Sequence, residues 1–221
     1  MTIKRINFEG KSHIGLYAKI SENYAIIPDN SPKKFEEVFL ELGLEVIKTK
    51  IAQSQFIGLY IVLNSNGIIV PSFCTKEELS QIKKMGKPIL VLKNDRFCAI
   101  ANNIVCNDYG GIVNQNFPDK DVEKIEKILK VPLYKKKINN YKAIGMMIVA
   151  TNRGFVVSNK ANQQEIEELE DIFKVKGREG SVNLGLHMVG LGLLANSKLA
   201  LVGYSTTGVE LARISEGLDI V

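Results

Sequence analysis

Val62-Leu-Asn-Ser-Asn-Gly-Ile-Ile-Val-Pro71 contains two short apolar runs separated by a small polar turn. The Asn-Gly step suits the positive φ angles of a type I′ turn, so the stretch predicts a β-hairpin. The same layout occurs four more times, and the residue after each turn is Tyr24, Gly67, Gly110, Gly154 or Leu199. Steps of 43 to 45 residues separate these positions. A fixed period of this length indicates a propeller, a solenoid or an array.

The elements around each turn repeat as well. In the second unit the sequence predicts a strand over Ile57–Leu63, the hairpin, a helix that begins at the capping box Thr75-x-x-Glu78 and ends at Gly86, and a third strand from Pro88. One helix and three short strands cannot bury an apolar face alone, so neighbouring units must share a core. Corresponding helices are predicted from Pro32 with Ser31 as N-cap, over 118–130, from the N-cap Asn162, and from Thr207 to Gly217.

The repeats follow one another without a linker or a low-complexity tract. We therefore predict one α+β domain over residues 1–221, in which Met1–Lys11 is a leader. No polar caps distinguish the two ends, so we expect a ring that closes on itself, with strands lining the axis and five helices outside. The repeats are placed at about 12–54, 55–97, 98–141, 142–180 and 181–221.

Composition excludes some classes of protein. The 221 residues are 45% hydrophobic and 24% charged, with a net charge of +5, which is ordinary for a globular chain with a mild attraction to polyanions. No apolar run approaches about 18 residues and the N-terminus lacks a signal-peptide core, so we expect neither a membrane span nor secretion. Three cysteines without Cys-x-x-Cys spacing favour a reducing, cytoplasmic compartment.

Four strings carry a family resemblance. In chain order they are Asn66-Gly-Ile-Ile-Val-Pro71, Cys106-Asn-Asp-Tyr-Gly-Gly-Ile-Val113, Gly180-Ser-Val-Asn183 and Thr207-Gly-Val-Glu-Leu-Ala-Arg-Ile214. Together with the five-fold repeat, they make the sequence resemble the translation initiation factor 6 family in its archaeal form. The family comprises ribosome anti-association factors of archaea and eukaryotes, and the resemblance spans nearly the whole chain.

The resemblance implies a pentein fold, which is a five-bladed β/α-propeller. It also implies a cytoplasmic, monomeric factor that binds the large ribosomal subunit and sterically prevents its association with the small subunit. On that subunit the family lies against a ribosomal protein next to the sarcin-ricin loop of the ribosomal RNA. A role in large-subunit maturation is a further implication. No reaction, cofactor, metal or membrane is expected.

The repeat itself proposes a ribosome-binding surface. Residues next to the opening glycine of each unit recur on the same side of the ring, and Leu or Met there would form a small adaptable apolar patch. These positions resemble the surface by which the family docks on its ribosomal protein. The alternative is that the apolar members face the core. The candidate residues are Leu16, Leu59, Asn102, Met147 and Met188, or their immediate neighbours.

A pentein-type guanidine-modifying enzyme is the alternative function. That chemistry needs a nucleophilic Cys near the C-terminus paired with a His, but no Cys lies beyond Cys106 and the histidines are His13 and His187. We therefore interpret Cys74, Cys98 and Cys106 as packing residues. No set of His and Cys has the spacing of a zinc site.

Three other patterns have simpler explanations. Gly190-Leu-Gly-Leu-Leu-Ala195 matches a dinucleotide-binding string, but a turn and a strand follow it instead of a helix. Asparagines at the hairpins are interpreted as turn formers. Lysine runs such as Lys135-Lys-Lys137 are typical of a solvated face, although general RNA binding through them stays open.

Overall fold

Each of the five repeats forms a three-stranded sheet in the computed structural model, which describes residues 2–220. The second strand of each hairpin is central and pairs antiparallel with the first strand. In the first four blades it also pairs in parallel with the strand that follows the long helix. The strands are β1 Thr2–Ile6, β2 Lys19–Ile20, β3 Tyr24–Pro28, β4 Glu45–Thr49, β5 Val62–Leu63, β6 Ile68–Pro71, β7 Ile89–Leu92, β8 Ile104–Cys106, β9 Gly111–Asn114, β10 Leu133–Lys136, β11 Ile148–Ala150, β12 Gly154–Ser158, β13 Lys176–Gly180, β14 Leu193–Ala195 and β15 Leu199–Gly203.

One long helix accompanies each sheet. Its apolar side is buried and its polar side is exposed, as the helical stripes in the sequence predict. The helices are α1 Lys33–Glu41, α2 Lys76–Lys83, α3 Asp119–Leu129, α4 Gln163–Phe173 and α5 Gly208–Gly217. Five sheets of the same topology, each with its helix, confirm the α+β architecture of five blades.

The ring closes through strand β1. It pairs in parallel with β15, from Thr2 beside Leu199 to Ile6 beside Gly203, and so supplies the third strand that the fifth repeat lacks. The prediction of a leader outside the repeats was wrong for these residues, because a sequence period cannot show that a strand pairs with the far end of the chain. Met1 and Val221 lie outside the described residues. This closure supports the proposal that the chain forms one domain.

The opening of each repeat differs from the prediction. Ile57–Leu63 was expected to be one strand, but it begins as a helical turn at Ile57–Tyr60, and only Val62–Leu63 is extended. The cause is crowding at the axis, where the five turns pack backbone against backbone: a Cβ on Gly58 would lie 1.7 Å from the carbonyl oxygen of Gly15. The five opening turns are Ile14–Leu16, Ile57–Tyr60, Ile100–Asn102, Ile144–Met147 and Val189–Gly192.

The helix caps largely follow the sequence. Capping boxes are present at Thr75, Asn162 and Thr207, as predicted. Ser31 was the wrong residue for the first helix, because Pro32 occupies the N-cap position and the Ser31 hydroxyl donates instead to the carbonyl oxygen of Pro28 at 2.7 Å. Among residues 2–220, no helix is long and apolar enough to cross a membrane.

Replacing Gly58 by Ala is expected to destabilise the fold by about 1–3 kcal/mol, because the added methyl group collides with the backbone of the neighbouring opening turn. Denaturant unfolding followed by circular dichroism measures the change. The matched control is Gly208→Ala, where a Cβ meets no atom within 4 Å and the change should stay within about 0.5 kcal/mol. Equal stabilities of the two variants would contradict the packing argument.

Candidate functional site

The ring has two chemically different faces. In each blade the central strand runs away from the hairpin turn, and the parallel third strand runs the same way. The opening turns and the N-termini of the long helices therefore lie on one face, which we call the opening-turn face. The hairpin turns and the C-termini of the long helices lie on the other, which we call the hairpin face.

The opening-turn face presents a ring of partly exposed side chains around the axis. Each is the residue that follows the glycine or alanine of an opening turn, and four of the five are apolar. Apolar side chains that are linked only by short turns form an adaptable contact surface. The members of this axial ring are Leu16, Leu59, Asn102, Met146 and Leu191.

Two of the predicted binding residues lie elsewhere. Met147 is only 1% exposed and packs in the core, so it cannot contact a partner. Met188 is half-buried at the N-cap of the fifth turn and packs against the same core cluster. Each of them is two positions from an opening glycine, Gly145 or Gly190, instead of directly after it, and successive residues of a helical turn point in different directions. Leu16, Leu59 and Asn102 remain the predicted contacts, and the structural equivalents of the other two are Met146 and Leu191.

A second apolar area lies on this face, and no motif in the sequence indicates it. Leu184, Tyr204 and Val209 are 75%, 68% and 72% exposed. They lie in the turn before the fifth opening turn, after strand β15 and in the first turn of α5, all at the blade that β1 closes. The three side chains extend the apolar character of the axial ring outwards.

Leu184 is held in an unusual backbone conformation. Its φ is +67°, a region that costs a residue with a Cβ roughly 1–2 kcal/mol. The Glu210 carboxylate accepts the backbone N–H groups of Leu184 at 3.3 Å and Gly185 at 2.8 Å. Burial opposes ionisation of Glu210, but donors that include the N–H of Thr207 outweigh it and lower the pKa of this carboxyl group. The charged carboxylate thus fixes a turn that exposes Leu184.

The asparagines of the hairpin face have structural roles, as predicted. Asn107 is 4% exposed; its side-chain oxygen accepts the N–H groups of Tyr109 and Gly110, and its amide donates to the carbonyl oxygens of Thr151 at 3.0 Å and Phe173 at 2.8 Å. Equivalent bonds run from Asn64 and from Asn196 to the neighbouring blade. These side chains therefore join adjacent blades through their amide groups and close their own hairpin turns through their oxygens.

Asn107→Ala is expected to lower the free energy of unfolding by about 2–4 kcal/mol, because two buried carbonyl oxygens and two N–H groups lose their partner. Chemical denaturation measures the loss. Asn159→Ala is the control, since Asn159 is exposed on the surface and its replacement should change stability by less than about 0.5 kcal/mol. A loss below 1 kcal/mol for Asn107→Ala would show that the blades do not depend on this bond.

The cysteines and histidines do not form a nucleophilic pair. Burial raises the pKa of both Cys74 and Cys106 to about 12, so these thiols are protonated at neutral pH. Cys106 lines the central channel, but neither His13 nor His187 is among the residues that line it. His13 is exposed, and His187 packs against the ring of Tyr141 at a centroid distance of 5.3 Å. Among residues 2–220 no cluster of His, Cys, Asp and Glu could hold a metal ion.

Alkylation tests this description of the thiols. Because the pKa of Cys74 and of Cys106 is about 12, iodoacetamide at pH 8 should modify both much more slowly in the folded protein than in the protein unfolded by guanidinium. Peptide mass spectrometry gives the rate at each cysteine. Rapid modification of Cys106 in the folded protein would reopen the case for a nucleophile in the channel.

The lysine runs are partly neutralised by acidic neighbours. Lys33 lies 3.7 Å from Glu37, and Lys136 donates to Glu168 at 2.5 Å. Lys135 pairs with Asp119 at the start of α3. Exposed pairs of this kind contribute little to stability, and they leave less unpaired charge for nucleic acid than the sequence suggests.

Comparison with known proteins gives the same family from a family model and from individual relatives. The model of the eIF-6 family matches residues 3–217. The translation initiation factor 6 of Archaeoglobus fulgidus is 42% identical over 214 residues, which cover 97% of this chain and 99% of that protein. The translation initiation factor 6 of Thermococcus gammatolerans is 41% identical over the whole of both chains.

Solved structures give only a distant likeness. The N-terminal domain of ArgZ, an arginine dihydrolase, aligns with a TM-score of 0.48 and 14% identity over 75% of this chain and 67% of that chain. At that level of similarity, nothing about its chemistry transfers to this chain.

Proposed function

The chain belongs to the eIF-6 family, and we propose that this translation initiation factor binds the large ribosomal subunit and sterically prevents its association with the small subunit. The observation that carries the proposal is the axial ring of Leu16, Leu59, Asn102, Met146 and Leu191, on the face where the family resemblance expects contact. The relatives are named as translation initiation factors, so the protein is not an enzyme and the guanidine-modifying alternative is set aside.

The opening-turn face suits a protein partner. Leu59, Met146 and Leu191 surround a single polar member, Asn102, and this composition resembles the apolar centre and polar anchor of a specific interface. Close backbone contacts beneath the ring hold the five opening turns in place, so little backbone conformational entropy is lost when a partner binds. We assign this surface to the ribosomal protein next to the sarcin-ricin loop.

The hairpin face is a poorer candidate. Its buried asparagines bond to neighbouring blades, and the two acidic residues of its hairpin turns, Glu22 and Asp108, accept hydrogen bonds from Ser197 and Ser65 respectively. Its most exposed large apolar side chains among residues 2–220 are Leu40, in the last turn of α1, and Tyr109, and they lie on different blades. A partner would have to break this internal network or bind to polar atoms that are already paired.

The proposed mechanism needs no chemistry. A chain of 24.6 kDa that covers the surface where the subunits meet excludes the small subunit by its volume alone. The net charge of +5 favours approach to ribosomal RNA beside the protein contact. We further propose that the factor acts as a monomer in the cytoplasm and takes part in maturation of the large subunit.

Sedimentation tests both halves of the proposal. The protein should pellet with purified large subunits and should lower the joined-ribosome peak when small subunits are added. Leu59→Asp should weaken large-subunit binding by about tenfold to a hundredfold, because it puts a charge into the apolar centre of the contact. Tyr109→Asp, an equivalent change on the hairpin face, should bind normally.

Circular dichroism of both variants checks that they are folded. If the wild-type protein stays in the supernatant, or pellets with large subunits without lowering the joined-ribosome peak, the proposed function is wrong. If Tyr109→Asp weakens binding and Leu59→Asp does not, the protein docks through the opposite face. General RNA binding would appear instead as a steep salt dependence on arbitrary RNA without preference for one subunit.

A further inference from the structure

A channel runs along the axis of the ring. On the opening-turn side it contains a cavity of about 90 Å³, and a second cavity of about 40 Å³ lies at the hairpin mouth. One residue from each inner strand borders both cavities and so separates them. These five residues are Ile20, Leu63, Cys106, Ala150 and Ala195.

Lys19 is the single charged residue among those that line the larger cavity. The equivalent positions of the other four blades are apolar: Val62, Val105, Val149 and Leu194. Within residues 2–220, the Lys19 ammonium group has no hydrogen bond or ion pair to another side chain or to the backbone. An ammonium group in such surroundings is costly unless a partner compensates its charge.

The nearby acidic groups do not compensate it. Glu22 and Asp108 lie at the hairpin mouth, outside the lining of the larger cavity. The Asp108 carboxylate accepts the backbone N–H and the hydroxyl group of Ser65 at 2.8 and 2.6 Å, and Glu22 accepts the corresponding groups of Ser197. Their hydrogen bonds are directed around the rim and away from Lys19.

The backbone adds polar groups to the channel wall. In each hairpin, the residue after the inner strand donates its N–H across the turn, as from Asn64 to Gly67 and from Asn107 to Gly110. In an antiparallel pair, residues that bond to the partner strand alternate with residues whose N–H and C=O point away from it. The last residue of each inner strand is of the second kind. No ladder joins one inner strand to the next, so these groups face the channel.

We propose that the larger cavity binds a small oxyanion, either a carboxylate or an inorganic phosphate, whose charge is matched by the ammonium group of Lys19. A volume of about 90 Å³ is several times what one water molecule needs, which is about 10–15 Å³, so there is room for such an anion with some of its water. The cation excludes a positively charged ligand, and the inner-strand N–H groups are additional donors.

Two properties of neighbouring groups support this. Burial lowers the pKa of Lys19, which means that the ammonium form lacks solvation that an anion would replace. Burial also raises the pKa of Cys106 to about 12, so its thiol is protonated and is a weak donor instead of a competing anion. Leu59, Asn102, Met146 and Leu191 of the axial ring also line this cavity. The test below measures anion binding to the isolated protein, so its outcome does not depend on ribosome binding.

Thermal unfolding with phosphate, acetate or chloride, at constant ionic strength, tests the proposal with the intact protein. Phosphate or acetate should raise the melting temperature in a saturable way. The anion that does so shows whether the site takes a phosphate or a carboxylate. Lys19→Met should weaken the affinity for the anion at least about tenfold, because it removes the one charged side chain that lines the larger cavity within residues 2–220. Lys198→Met is the matched control, since Lys198 is exposed on a hairpin turn and its loss should leave the effect unchanged.

The absence of a saturable rise in the wild-type protein, an equal rise with chloride, or the same rise in Lys19→Met would each overturn the proposal. If Lys19→Met does not fold, crystals of the wild-type protein grown with selenate decide the question. Anomalous scattering should then place a selenium atom in the channel, with an oxygen within hydrogen-bonding distance of Lys19 Nζ. A channel without an anomalous peak would rule out the oxyanion site.

Discussion

The close approach of five backbones at the axis is the constraint on which the rest of the structure depends. A Cβ on Gly15, Gly58, Gly145 or Gly190 would lie between 1.6 and 2.6 Å from a carbonyl oxygen of the preceding turn in the ring. Glycine permits this contact because it has no side chain. The remaining opening turn has Ala101 at the same position. Each opening turn therefore lies at a fixed distance from the next, and the residue after it lies on the surface.

Two other devices complete the ring, and they explain why its faces differ. Strand β1 closes the fifth blade at the opposite end of the sequence, while three buried asparagines on the hairpin face, Asn64, Asn107 and Asn196, each bond a blade to its neighbour. The polar groups of the hairpin face are thereby used within the protein. On the opening-turn face the junctions are made by backbone atoms, so apolar side chains such as Leu59 remain available for a partner.

Much of this could be predicted from the sequence because the signals are local. The hairpins, the capping boxes at Thr75 and Thr207, and the repeat period each depend on residues that are close in the chain, and all three are present in the structure. The type I′ geometry predicted for the Asn66-Gly67 step was wrong, because neither residue has a positive φ. The Asn64 side-chain oxygen closes this turn by accepting the N–H groups of Asn66 and Gly67. A short apolar run before each hairpin has no such signal. Strand and helical turn are equally compatible with Ile57–Leu63, and only contact with the other blades selects the turn.

Other features depend on contacts between distant residues. The pairing of β1 with β15, the burial of Met147 and the exposure of Leu184 cannot be deduced from a periodic pattern, because each follows from tertiary packing. Lys19 is an intermediate case. Its position in a repeat of otherwise apolar residues was visible in the sequence, but that this position lines the axial channel became clear only from the structure.

Electron cryo-microscopy of the protein bound to large ribosomal subunits would show which face docks. We expect density for the ring on the surface that meets the small subunit, with the hairpin face directed away. The residues in contact with a ribosomal protein should be Leu16, Leu59, Asn102, Met146 and Leu191. A complex in which the hairpin face is buried and the axial ring faces solvent would contradict this expectation.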